Sequence, residues 1–303
     1  MRIVVTGGAG FIGTNLLKRL VKNEDNIIGV FDDYSANGKK ETYRRWRAEG
    51  IWNPRLYRNL KYHDVDITFD NQFTNPPDIC YHLAAVVSIP ESIEKPGYTI
   101  KNNHQGLLNI LEWSRRTTKF PIVFAGSASR YGNVYDNPYA FSKYQGEELC
   151  KLYSELYDIP IITCRFFNVY GPHAPTQGQY VGVVGIFSRL FKEGKPLTIT
   201  GDGTQTRDFI HVEDIVDGLI RSGEAMNGAV DMRYSNVTID LGSGKSYSLN
   251  EIAKGFGEDY PVEYIEERKG EIKHSICDPT EAKELLDWET KNDVLDYIND
   301  TYL

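Results

Sequence analysis

The stretch MRIVVTGGAGFIGTNLLKRLVKNEDNIIGVFDD, residues 1–33, decides the fold of this chain. It predicts a buried strand over Arg2–Thr6, a glycine turn, a helix that begins near Phe11, and a second strand over Asn26–Phe31. Continuous apolar runs mark the two strands, and apolar residues at helical spacing mark the helix. The order of strand, glycine turn, helix and strand is typical of a nucleotide-binding βαβ unit.

The glycines of this turn have the spacing of a dinucleotide-binding loop. Gly7, Gly10 and Gly13 stand three residues apart, and Gly8, Gly10 and Gly13 also fit the pattern G-x-G-x-x-G. Small residues there permit a tight turn and let backbone N–H groups approach a pyrophosphate at the helix N-terminus. Asp32 ends the second strand, where its carboxylate is expected to bind the adenosine ribose and to repel the 2′-phosphate of NADP. The sequence therefore predicts an NAD site; the alternative is a structural glycine turn in another α/β protein.

Strand-like and helical segments continue to alternate along the first half. Strands are predicted at 78–83, 122–125 and 159–165, and helices near 98–116 and 139–157. This alternation predicts an α/β fold with a Rossmann-type doubly wound parallel sheet. Asp66 and Ile67 follow a further strand-like segment, LKYHDV, so the Asp66 carboxylate is expected either to reach the adenine amino group or to lie in an exposed turn.

Composition excludes several classes of protein. The 303 residues suffice for one large domain with a smaller lobe. A net charge of −8 argues against a nucleic-acid-binding surface, and no apolar run reaches the roughly 20 residues that cross a bilayer. The N-terminus lacks a signal-peptide pattern, and the four cysteines lack metal-ligand spacing. We therefore expect a cytoplasmic protein with reduced thiols, no metal and no membrane or nucleic-acid partner.

The stretch GSASRYGNVYDNPYAFSK, residues 126–143, contains a candidate catalytic group. On a helix Tyr139 and Lys143 share one face, and an ammonium beside a phenol lowers the pKa of the phenol. Such pairs also occur by chance on surface helices, which is the alternative interpretation. The position of the pair after a dinucleotide-binding loop and after an apolar strand that ends in Gly126-Ser127 favours a base for hydride-transfer chemistry.

Together these segments resemble the extended short-chain dehydrogenase/reductase family, and within it the NAD-dependent nucleotide-sugar epimerases and dehydratases, of which the UDP-hexose 4-epimerases are the nearest type. The resemblance covers nearly the whole chain. It is carried by TGGAGFIG (6–13), HLAA (82–85), Asn103 in NNHQG, YAFSK (139–143), RFFNVYGP (165–172), GDGTQTRDFIHVED (201–214) and RKGEIKHSICD (268–278).

The resemblance implies roles for individual residues. Tyr139 would act as the base, Lys143 would lower its pKa and hold the nicotinamide ribose, and Ser127 would hydrogen-bond the reacting sugar oxygen. The cofactor-binding residues would be Gly7, Gly10, Phe11, Ile12, Gly13, Asp32, Asp66, Ile67, Leu83, Ala84, Ala85, Asn103, Tyr139, Lys143 and Phe166. The substrate-binding residues would be Ser127, Asn168, Arg207, Arg268, Glu271 and Ser275. Of these, the two arginines would bind the diphosphate bidentately, unless they are solvated surface charges, and Glu271 would bind the nucleotide ribose.

The residues after Ser127 distinguish the reactions of the family. The resemblance places an Asp-Glu pair directly after this serine in 4,6-dehydratases and a glutamate there in decarboxylases, whereas this chain has Ala128 and Ser129. What remains is oxidation at C4, rotation of the 4-keto intermediate and return of the hydride, which is 4-epimerisation of a nucleotide-diphosphate sugar. SIPES (88–92) resembles UDP-N-acetylhexosamine and related 4-epimerases, and the small Ser275 leaves room for an N-acetyl group, so a UDP-hexose or UDP-N-acetylhexosamine is expected.

Other functions stay open at this point. A nucleotide-sugar reductase using NAD(P), a dehydratase and a catalytically silent NAD-binding module are the alternatives. Only residues 128–138 separate Ser127 from Tyr139, which is fewer than the family usually has. The missing segment normally runs beside the sugar pocket. Tyr131 matches a family position after the serine and is expected to be structural.

The second half of the chain is expected to bind the nucleotide sugar. Residues 1–170 are predicted as the NAD-binding domain, to which the chain returns at about 210–243, and residues 171–209 and 244–303 as the smaller lobe. The sequence predicts loops from Gly171 to Leu190, an amphipathic helix over 211–226 and a strand within 236–244. In relatives the helices 98–116 and 139–157 form a dimerising bundle, so the resemblance implies a homodimer, although packing within one chain explains their apolar faces as well.

Overall fold

The computed structural model describes residues 1–36, 38–51, 59–69, 73–178, 181–226, 235–266 and 273–303. The contacts of the chain divide it into two compact units. Unit 1 consists of Met1–Arg165 and Leu219–Ile239, and unit 2 of Phe166–Gly218 and Asp240–Leu303. The chain therefore leaves unit 1 after Arg165 and returns to it within a helix.

The described elements have the following bounds. The strands are β1 (Arg2–Thr6), β2 (Ile27–Asp32), β3 (Leu60–Asp64), β4 (Ile79–His82), β5 (Ile122–Ser127), β6 (Ile161–Phe166), β7 (Asn168–Tyr170), β8 (Leu197–Thr200), β9 (Thr206–His211), β10 (Val237–Leu241), β11 (Ser246–Ser248) and β12 (Val262–Ile265). The helices are α1 (Phe11–Leu20), α2 (Lys39–Ala48), α3 (Ile89–Glu94), α4 (Pro96–Ile100), α5 (Gly106–Arg116), α6 (Pro138–Tyr157), α7 (Val183–Lys192), α8 (Val212–Ala225), α9 (Leu249–Lys254), α10 (Thr280–Leu286) and α11 (Val294–Tyr302). A π-helical turn spans Lys101–Gln105, and a 3₁₀ turn spans Ala128–Tyr131.

A seven-stranded sheet, as far as the described residues extend, forms the centre of unit 1, in the order β10-β6-β5-β4-β1-β2-β3. β1 pairs in parallel with β2 and β4, β2 with β3, and β4 with β5. Parallel strands joined by helices make a doubly wound Rossmann-type fold, so the predicted fold class is confirmed. The strand order reverses between β1 and β4, and at such a point the carboxyl ends of the strands leave a crevice for a ligand.

Two neighbouring strands on one side of this crevice are deeply buried. Every residue of β4 and β5 is buried, as expected for parallel strands covered on both faces. Phe31, Leu107, Ile110, Phe124 and Ile161 belong to one apolar cluster that joins this sheet to α5. Each such side chain contributes roughly 1.5–3 kcal/mol by leaving water. The residues at the carboxyl ends of these strands are thus carried by a well-packed support.

Unit 2 contains two small sheets. In the sheet β11-β9-β7, β9 pairs antiparallel with β11 and parallel with β7, while β8 and β12 form a parallel pair. Tyr170, Phe187, Ile199, Phe256 and Ile298 are members of its apolar cluster, which joins β7, α7, β8 and α11 to the segment after α9. Unit 2 therefore has a core of its own.

Some sequence-based expectations are wrong in detail. The sequence predicts loops from Gly171 to Leu190, whereas α7 begins at Val183 and buries Val184, Phe187 and Leu190. The glycines and prolines before α7 resemble a loop and hide the apolar periodicity of the helix. The predicted helix near 98–116 is divided into α4, the π-helical turn and α5. His211 ends β9, and α8 begins only at the next residue.

The four cysteines lie in the interior of the chain. Cys80, Cys150, Cys164 and Cys277 are all buried and free, as the sequence predicts. Burial raises the pKa of each of these thiols, so they stay protonated at neutral pH. Within the described ranges, no helix combines the length and the apolar character that a membrane crossing requires.

Candidate active site

The glycine loop connects β1 to the N-terminus of α1. Gly7 has a φ of +70°, and a Cβ there would lie 2.6 Å from the backbone nitrogen of Ala84. A Cβ on Gly13 would overlap the carbonyl oxygen of Gly7, which also accepts a hydrogen bond of 3.1 Å from the Gly10 N–H. No side chain of the described residues caps α1 at Gly10. The first N–H groups of α1, from Phe11, Ile12 and Gly13, and the positive end of its dipole therefore face outward, which suits a pyrophosphate.

Asp32 is fixed at the end of β2, beside this loop. Its Oδ2 accepts a hydrogen bond of 2.8 Å from the Ala9 N–H, and its Oδ1 accepts one of 2.8 Å from the Tyr34 N–H. Burial raises the pKa of Asp32 to about 6, although these two bonds and the charge of Arg45 oppose the rise. The carboxylate is therefore ionised at neutral pH and retains lone pairs that ribose hydroxyls can use.

Asp66 and Ile67 follow β3 at the same edge of the sheet. Asp66 is half-buried, and its Oδ1 accepts a hydrogen bond of 2.8 Å from the Thr68 N–H. The carbonyl oxygen of Ile67 accepts a hydrogen bond of 2.9 Å from the Nδ2 of Asn109. Asp66 thus begins a half-buried turn that is attached to α5, and its role toward the adenine stays a prediction.

The HLAA segment runs along the other side of β1. The Oγ1 of Thr6 lies 2.8 Å from the Nδ1 of His82 and accepts a hydrogen bond of 3.2 Å from the Ala84 N–H. Burial lowers the pKa of His82 to about 3, so its ring is neutral. Leu83, Ala84 and Ala85 are half-buried after the end of β4, and the Leu83 N–H donates to the Thr6 carbonyl oxygen over 3.2 Å. Thr6 therefore holds this segment against the glycine loop.

Asn103 connects the HLAA segment to α6. Its Oδ1 accepts a hydrogen bond of 2.7 Å from the Val86 N–H, and its Nδ2 donates to the Val86 carbonyl oxygen over 2.9 Å. The same Nδ2 donates to the Oγ of Ser142 over 2.9 Å. Because Ser142 directly precedes Lys143, the buried Asn103 side chain fixes both the cofactor edge of the sheet and the start of α6.

Ser127, Tyr139 and Lys143 come together where β5 ends and α6 begins. The Tyr139 hydroxyl donates a hydrogen bond of 3.3 Å to the Oγ of Ser127. The Lys143 Nζ is buried and donates a hydrogen bond of 2.8 Å to the carbonyl oxygen of Ala125. Asn137 caps α6 because its Oδ1 accepts a hydrogen bond of 2.8 Å from the N–H of Ala140, the third residue of the helix, and this bond sets the position of the first turn.

Burial dominates the electrostatics of this group. It raises the pKa of the Tyr139 phenol, and the hydrogen bond with Ser127 opposes the rise. It lowers the pKa of Lys143 to about 8, and the carboxylate of Glu147 opposes the fall. In the chain alone Tyr139 is therefore neutral at pH 7 and Lys143 is largely charged.

A buried ion pair adjoins this group, and the sequence reasoning did not identify it. The Nη2 of Arg165 donates to the Oε2 of Glu147 over 2.8 Å, and its Nη1 donates to the Tyr131 hydroxyl over 3.0 Å. Glu147 follows Lys143 by one helical turn, and that spacing is the signal that could have revealed it. Tyr131, expected to be structural, holds the 3₁₀ turn to β6 through Arg165.

The short connection between Ser127 and Tyr139 is a closed turn organised by Asn133. The Asn133 Nδ2 donates to the Oδ1 of Asp136 over 2.7 Å, and its Oδ1 accepts a hydrogen bond of 3.2 Å from the Tyr135 N–H. Val134 is buried beneath the turn, while the Tyr135 side chain is exposed. The connection is thus compact although it is short.

In unit 2, the predicted substrate residues that the structure describes lie around β9. The Nη1 of Arg207 donates a hydrogen bond of 2.8 Å to the Thr206 carbonyl oxygen, to which the Ser275 N–H also donates, over 3.2 Å. Asn168 begins β7, and its Nδ2 donates to the Asp208 carbonyl oxygen over 2.8 Å. The structure therefore brings Arg207 and Ser275 together and places Asn168 on the adjacent strand.

Asp208 fixes the backbone around Arg207. Its Oδ1 accepts hydrogen bonds from the Ser243 N–H (2.7 Å) and Oγ (2.9 Å). Its Oδ2 accepts from the Gly244 N–H (2.9 Å) and the Cys277 N–H (3.1 Å). Burial raises the pKa of Asp208, and these bonds oppose the rise. One carboxylate thus joins β9 to the segments on both sides of it.

The remaining predicted residues have different outcomes. Arg268 and Glu271 lie outside the described residues, so their roles stay predictions. Phe166 is half-buried, ends β6 and is the first residue of unit 2. His211, at the end of β9, lies among aromatic rings, with the centre of the Tyr170 ring at 5.2 Å, and burial lowers its pKa.

The sequence model of the NAD dependent epimerase/dehydratase family matches residues 3–237 of the chain. The chain belongs to this family. NAD is the cofactor of the family, and its binding site requires a glycine loop of the kind that Gly7, Gly10 and Gly13 form at α1. The open helix N-terminus and the anchored carboxylate of Asp32 fit the pyrophosphate and the ribose of that cofactor.

Individual members of the family resemble the chain over almost its full length. The UDP-glucose 4-epimerase of Mycolicibacterium smegmatis is 31% identical over 95% of this chain and 93% of its own length. The UDP-glucuronic acid decarboxylase 6 of Arabidopsis thaliana is 33% identical over 96% of this chain and 84% of its own length. Relatives with different reactions are therefore equally similar in sequence.

Solved structures of family members have the same fold. The UDP-N-acetylglucosamine 4-epimerase of Methanobrevibacter ruminantium, in complex with UDP-N-acetylmuramic acid, superposes with a TM-score of 0.85 at 28% identity, covering 99% of this chain and 96% of that one. The UDP-glucuronic acid 4-epimerase of Bacillus cereus, with UDP-glucuronic acid and NAD, gives 0.85 at 26% identity, covering 100% and 98%. The family member described here therefore shares its fold with enzymes of nucleotide sugars.

Proposed function

We propose that this chain interconverts the C4 epimers of a nucleotide-diphosphate sugar, with a UDP-hexose or a UDP-N-acetylhexosamine as the substrate. The observation that carries this proposal is the grouping of Ser127, Tyr139 and Lys143 beside a turn whose first residues, Ala128 and Ser129, offer neither an acid nor a base. The similarity to 4-epimerases of UDP-glucose and UDP-N-acetylglucosamine supports it.

The cofactor site of the proposal is the crevice of unit 1. The N–H groups at the start of α1 would bind the pyrophosphate, and Asp32 would bind the adenosine ribose. Asp66 and the HLAA segment would line the adenine and nicotinamide parts of the site. When bound, NAD supplies the redox chemistry by accepting the C4 hydride of the sugar and returning it to the opposite face.

The proton chemistry of the proposal falls to Tyr139. In its phenolate form Tyr139 would take the proton of the sugar 4-hydroxyl as C4 is oxidised, and the resulting phenol would return that proton to the oxygen after the 4-keto sugar has rotated. Ser127 would hold the same sugar oxygen by a hydrogen bond. Because burial raises the pKa of Tyr139 in the chain alone, the positive charge of Lys143 is needed to make the phenolate accessible.

The turn after Ser127 offers no acid or base for elimination or decarboxylation at its first two positions. Removal of water across two carbons needs a base for the C–H proton and an acid for the departing hydroxyl. Ala128 and Ser129 stand where the resemblance places those carboxyl groups. The nearby carboxylate of Glu147 is hydrogen-bonded to Arg165 through both oxygens, so it is already committed to an ion pair. Epimerisation requires no further acid or base.

Substrate binding is proposed for unit 2. Arg207, and Arg268 beyond the described residues, would bind the diphosphate, because a guanidinium pairs bidentately with phosphate oxygens. Asn168 would bind the same group, Glu271 the nucleotide ribose, and the small Ser275 would leave space for a C2 substituent. These assignments rest on the resemblance of the motifs.

A homodimer is also proposed, through the helices of unit 1. Leu152 and Leu156 on α6 are more than half exposed, at 51% and 61%, and Ile93 on α3 is 61% exposed. A second copy of the chain would cover such a face. Light scattering on the protein as it elutes from a size-exclusion column measures its mass in solution. A monomeric mass at micromolar concentration would contradict the homodimer.

The function is tested by incubating the purified chain with UDP-glucose, UDP-N-acetylglucosamine and UDP-glucuronate, without added reductant. Proton NMR of the products distinguishes the outcomes. Formation of the C4 epimer of one or more sugars, with no net loss of substrate mass, supports the proposal. A product that has lost water or CO₂ would instead show a dehydratase or a decarboxylase, and no product with any sugar would contradict catalysis on these substrates.

A further inference from the structure

The buried carboxylate of Glu147 lies beside the proposed catalytic lysine and is held by two arginines. Glu147 is 7% exposed and follows Lys143 by one turn of α6. Arg165 donates to its Oε2 from Nη2 over 2.8 Å and to its Oε1 from Nε over 3.1 Å. Arg130 approaches the same carboxylate with its Nε 3.7 Å from Oε2. A carboxylate so deeply buried persists as an anion only with such partners.

The pair of Glu147 and Arg165 also packs on the strand that carries Ser127. A Cβ built on Gly126 would lie 3.1 Å from the Glu147 Oε1 and 3.1 Å from the Arg165 Cγ. Gly126 stands between Ala125, whose carbonyl oxygen accepts from Lys143, and Ser127. The ion pair therefore contacts the backbone that sets the positions of two proposed catalytic residues.

Arg165 extends this contact to the turn after Ser127. Its Nη1 donates to the Tyr131 hydroxyl over 3.0 Å, and its guanidinium lies 5.2 Å from the centre of the Tyr131 ring. Tyr131 ends the 3₁₀ turn that follows Ser127. Arg165 thus contacts Tyr131 at the end of that turn, while Glu147 packs against Gly126 just before it.

The titratable groups around Lys143 differ in their charge. Tyr139, Glu147 and Cys150 face it from α6, and His82 faces it from β4. Burial keeps Tyr139 and Cys150 protonated, and the ring of His82 is neutral with a pKa of about 3. Of these four groups, Glu147 is the one that is paired with cations, with Arg165 at 2.8 Å and Arg130 at 3.7 Å. Arg165 and Arg130 face the carboxylate of Glu147 and reduce the negative charge that Lys143 experiences.

We propose that Glu147 and Arg165 are positioning residues of the site, an inference that rests on the proposed function. Glu147 supplies the negative charge that keeps the buried Lys143 protonated through turnover, and Arg165 sets how much of that charge Lys143 experiences. Neither residue touches the substrate. Their effect reaches the reaction through Lys143 and through the Gly126–Tyr131 segment.

Substitutions of Glu147 and Arg165 should shift the pKa of Lys143 in opposite directions. Glu147→Gln removes the anion and should lower the pKa of Lys143 by about one unit or more. Arg165→Gln leaves the anion less compensated and should raise the pKa of Lys143. Arg165→Lys keeps a positive charge and should titrate like the wild type. The measurement is NMR of the full chain labelled at the lysine Cε and Nζ, with Lys143→Met identifying the resonance.

Damage to the fold cannot produce opposite shifts, because it would move the pKa of Lys143 in the same direction in Glu147→Gln and in Arg165→Gln. Glu148→Gln is the matched control, since Glu148 is the next residue on α6 and pairs with Arg130 at 3.7 Å from the exposed side. Three results would overturn the proposal. The pKa of Lys143 could shift equally in Glu148→Gln and Glu147→Gln, it could stay unchanged in both Glu147→Gln and Arg165→Gln, or it could move in the same direction in those two variants. If Glu147→Gln does not fold, the contrast between Arg165→Gln and Arg165→Lys decides alone.

The pH profile of kcat gives a second measurement. If Lys143 must be charged, the alkaline limb of the Glu147→Gln profile should move to lower pH by the same amount as the NMR titration, and that of Arg165→Gln to higher pH. An unchanged limb beside a shifted titration would contradict the link to turnover. A wild type that epimerises nothing would refute the proposed function, while the NMR titrations would still test the ion pair.

Discussion

The hydroxyl of Tyr139 donates a hydrogen bond of 3.3 Å to the Oγ of Ser127. Ser127 ends a buried strand, and Tyr139 lies in the first turn of the helix that follows. A short, closed turn connects them, and Lys143 donates to the strand two residues before Ser127. The two hydroxyls are therefore held together by the local chain, and a sugar oxygen bound between them would exchange its proton with Tyr139.

Replacement of the tyrosine hydroxyl tests this role. Tyr139→Phe removes the proposed base and should lower kcat by roughly 10²–10⁴-fold, since that is the usual contribution of general acid–base catalysis. KM should change little because the ring remains. Tyr157→Phe, at the last turn of the same helix, is the matched control and should keep wild-type kcat. A Tyr139→Phe variant with unchanged turnover would exclude Tyr139 as the base.

The close approach of Gly7 to Ala84 predicts loss of NAD in a variant with one added methyl group. Gly7→Ala should release its cofactor and lose stability, because its Cβ would lie 2.6 Å from the Ala84 nitrogen in addition to the strain of a positive φ. Gly38 has nearly the same φ, +69°, but no described atom lies within 4 Å of a Cβ built there. Gly38→Ala should therefore cost only about 1 kcal/mol and retain NAD.

NAD retention is measured by denaturing each purified variant and assaying the released cofactor. Comparable cofactor content in Gly7→Ala and Gly38→Ala would show that the backbone at Gly7 adapts. The crevice at the carboxyl end of β1 would then not depend on the close contact between the loop and the HLAA segment.

Adjacent asparagines in the π-helical turn should differ strongly in their effect on stability. Asn103→Ala leaves the Val86 N–H and carbonyl oxygen without their buried partner and should lower the free energy of unfolding by about 2–4 kcal/mol. Asn102 is more accessible and donates to the Tyr98 carbonyl oxygen over 2.8 Å. Asn102→Ala should cost less than about 1 kcal/mol. Urea denaturation measures both, and equal costs would contradict the anchoring role of Asn103.

The raised pKa of Asp32 predicts that the stability of the nucleotide-free protein depends on pH. Its pKa is raised from 3.8 to about 6 because burial penalises the charged form. A raised pKa stabilises the fold below about pH 4, and this contribution is lost as the pH rises through 6. The free energy of unfolding of the wild type, relative to that of Asp32→Asn, should therefore fall by about 2–3 kcal/mol between pH 4 and pH 7.

Urea denaturation of both proteins across this range measures the difference, and the Asn variant cancels the titration of all other groups. The exposed neighbour Asp33, whose Oδ1 accepts from the Ser35 N–H, supplies the control. Asp33→Asn should follow the wild-type pH dependence. A constant difference between the wild type and Asp32→Asn would mean that Asp32 is not desolvated in the folded chain.

The nucleotide-binding half of the fold is predictable from the sequence because its signals are local. Continuous apolar runs gave β1, β4 and β5 close to their true bounds, and glycine spacing predicted the turn before α1. The helix α7 was missed because its apolar residues follow a glycine-rich stretch that resembles a loop. The π-helical turn at Lys101–Gln105 was not predictable either, and its Asn103 is hydrogen-bonded to Val86, a contact that exists only in the folded chain.

Within the candidate site, the sequence predicted single residues better than their partners. The resemblance named Tyr139, Lys143 and Ser127 as one group, and their first contacts follow from the strand end and the helix start. It did not reveal that Glu147 and Arg165 lie beneath them, because Arg165 is on another strand and its contact to α6 exists only in the folded chain. Desolvation, which sets the pKa of Lys143 and Asp32, is likewise a property of the packed structure.

The central claim is that hydrogen leaves C4 of the sugar and returns to the same carbon within the site. It is tested most directly with UDP-hexose or UDP-N-acetylhexosamine deuterated at C4, incubated with the purified chain in ordinary water. The account predicts a C4 epimer that retains the deuterium at C4, as read by NMR and mass spectrometry. An epimer whose C4 deuterium has been replaced by solvent hydrogen, or a product that is no C4 epimer, would contradict it.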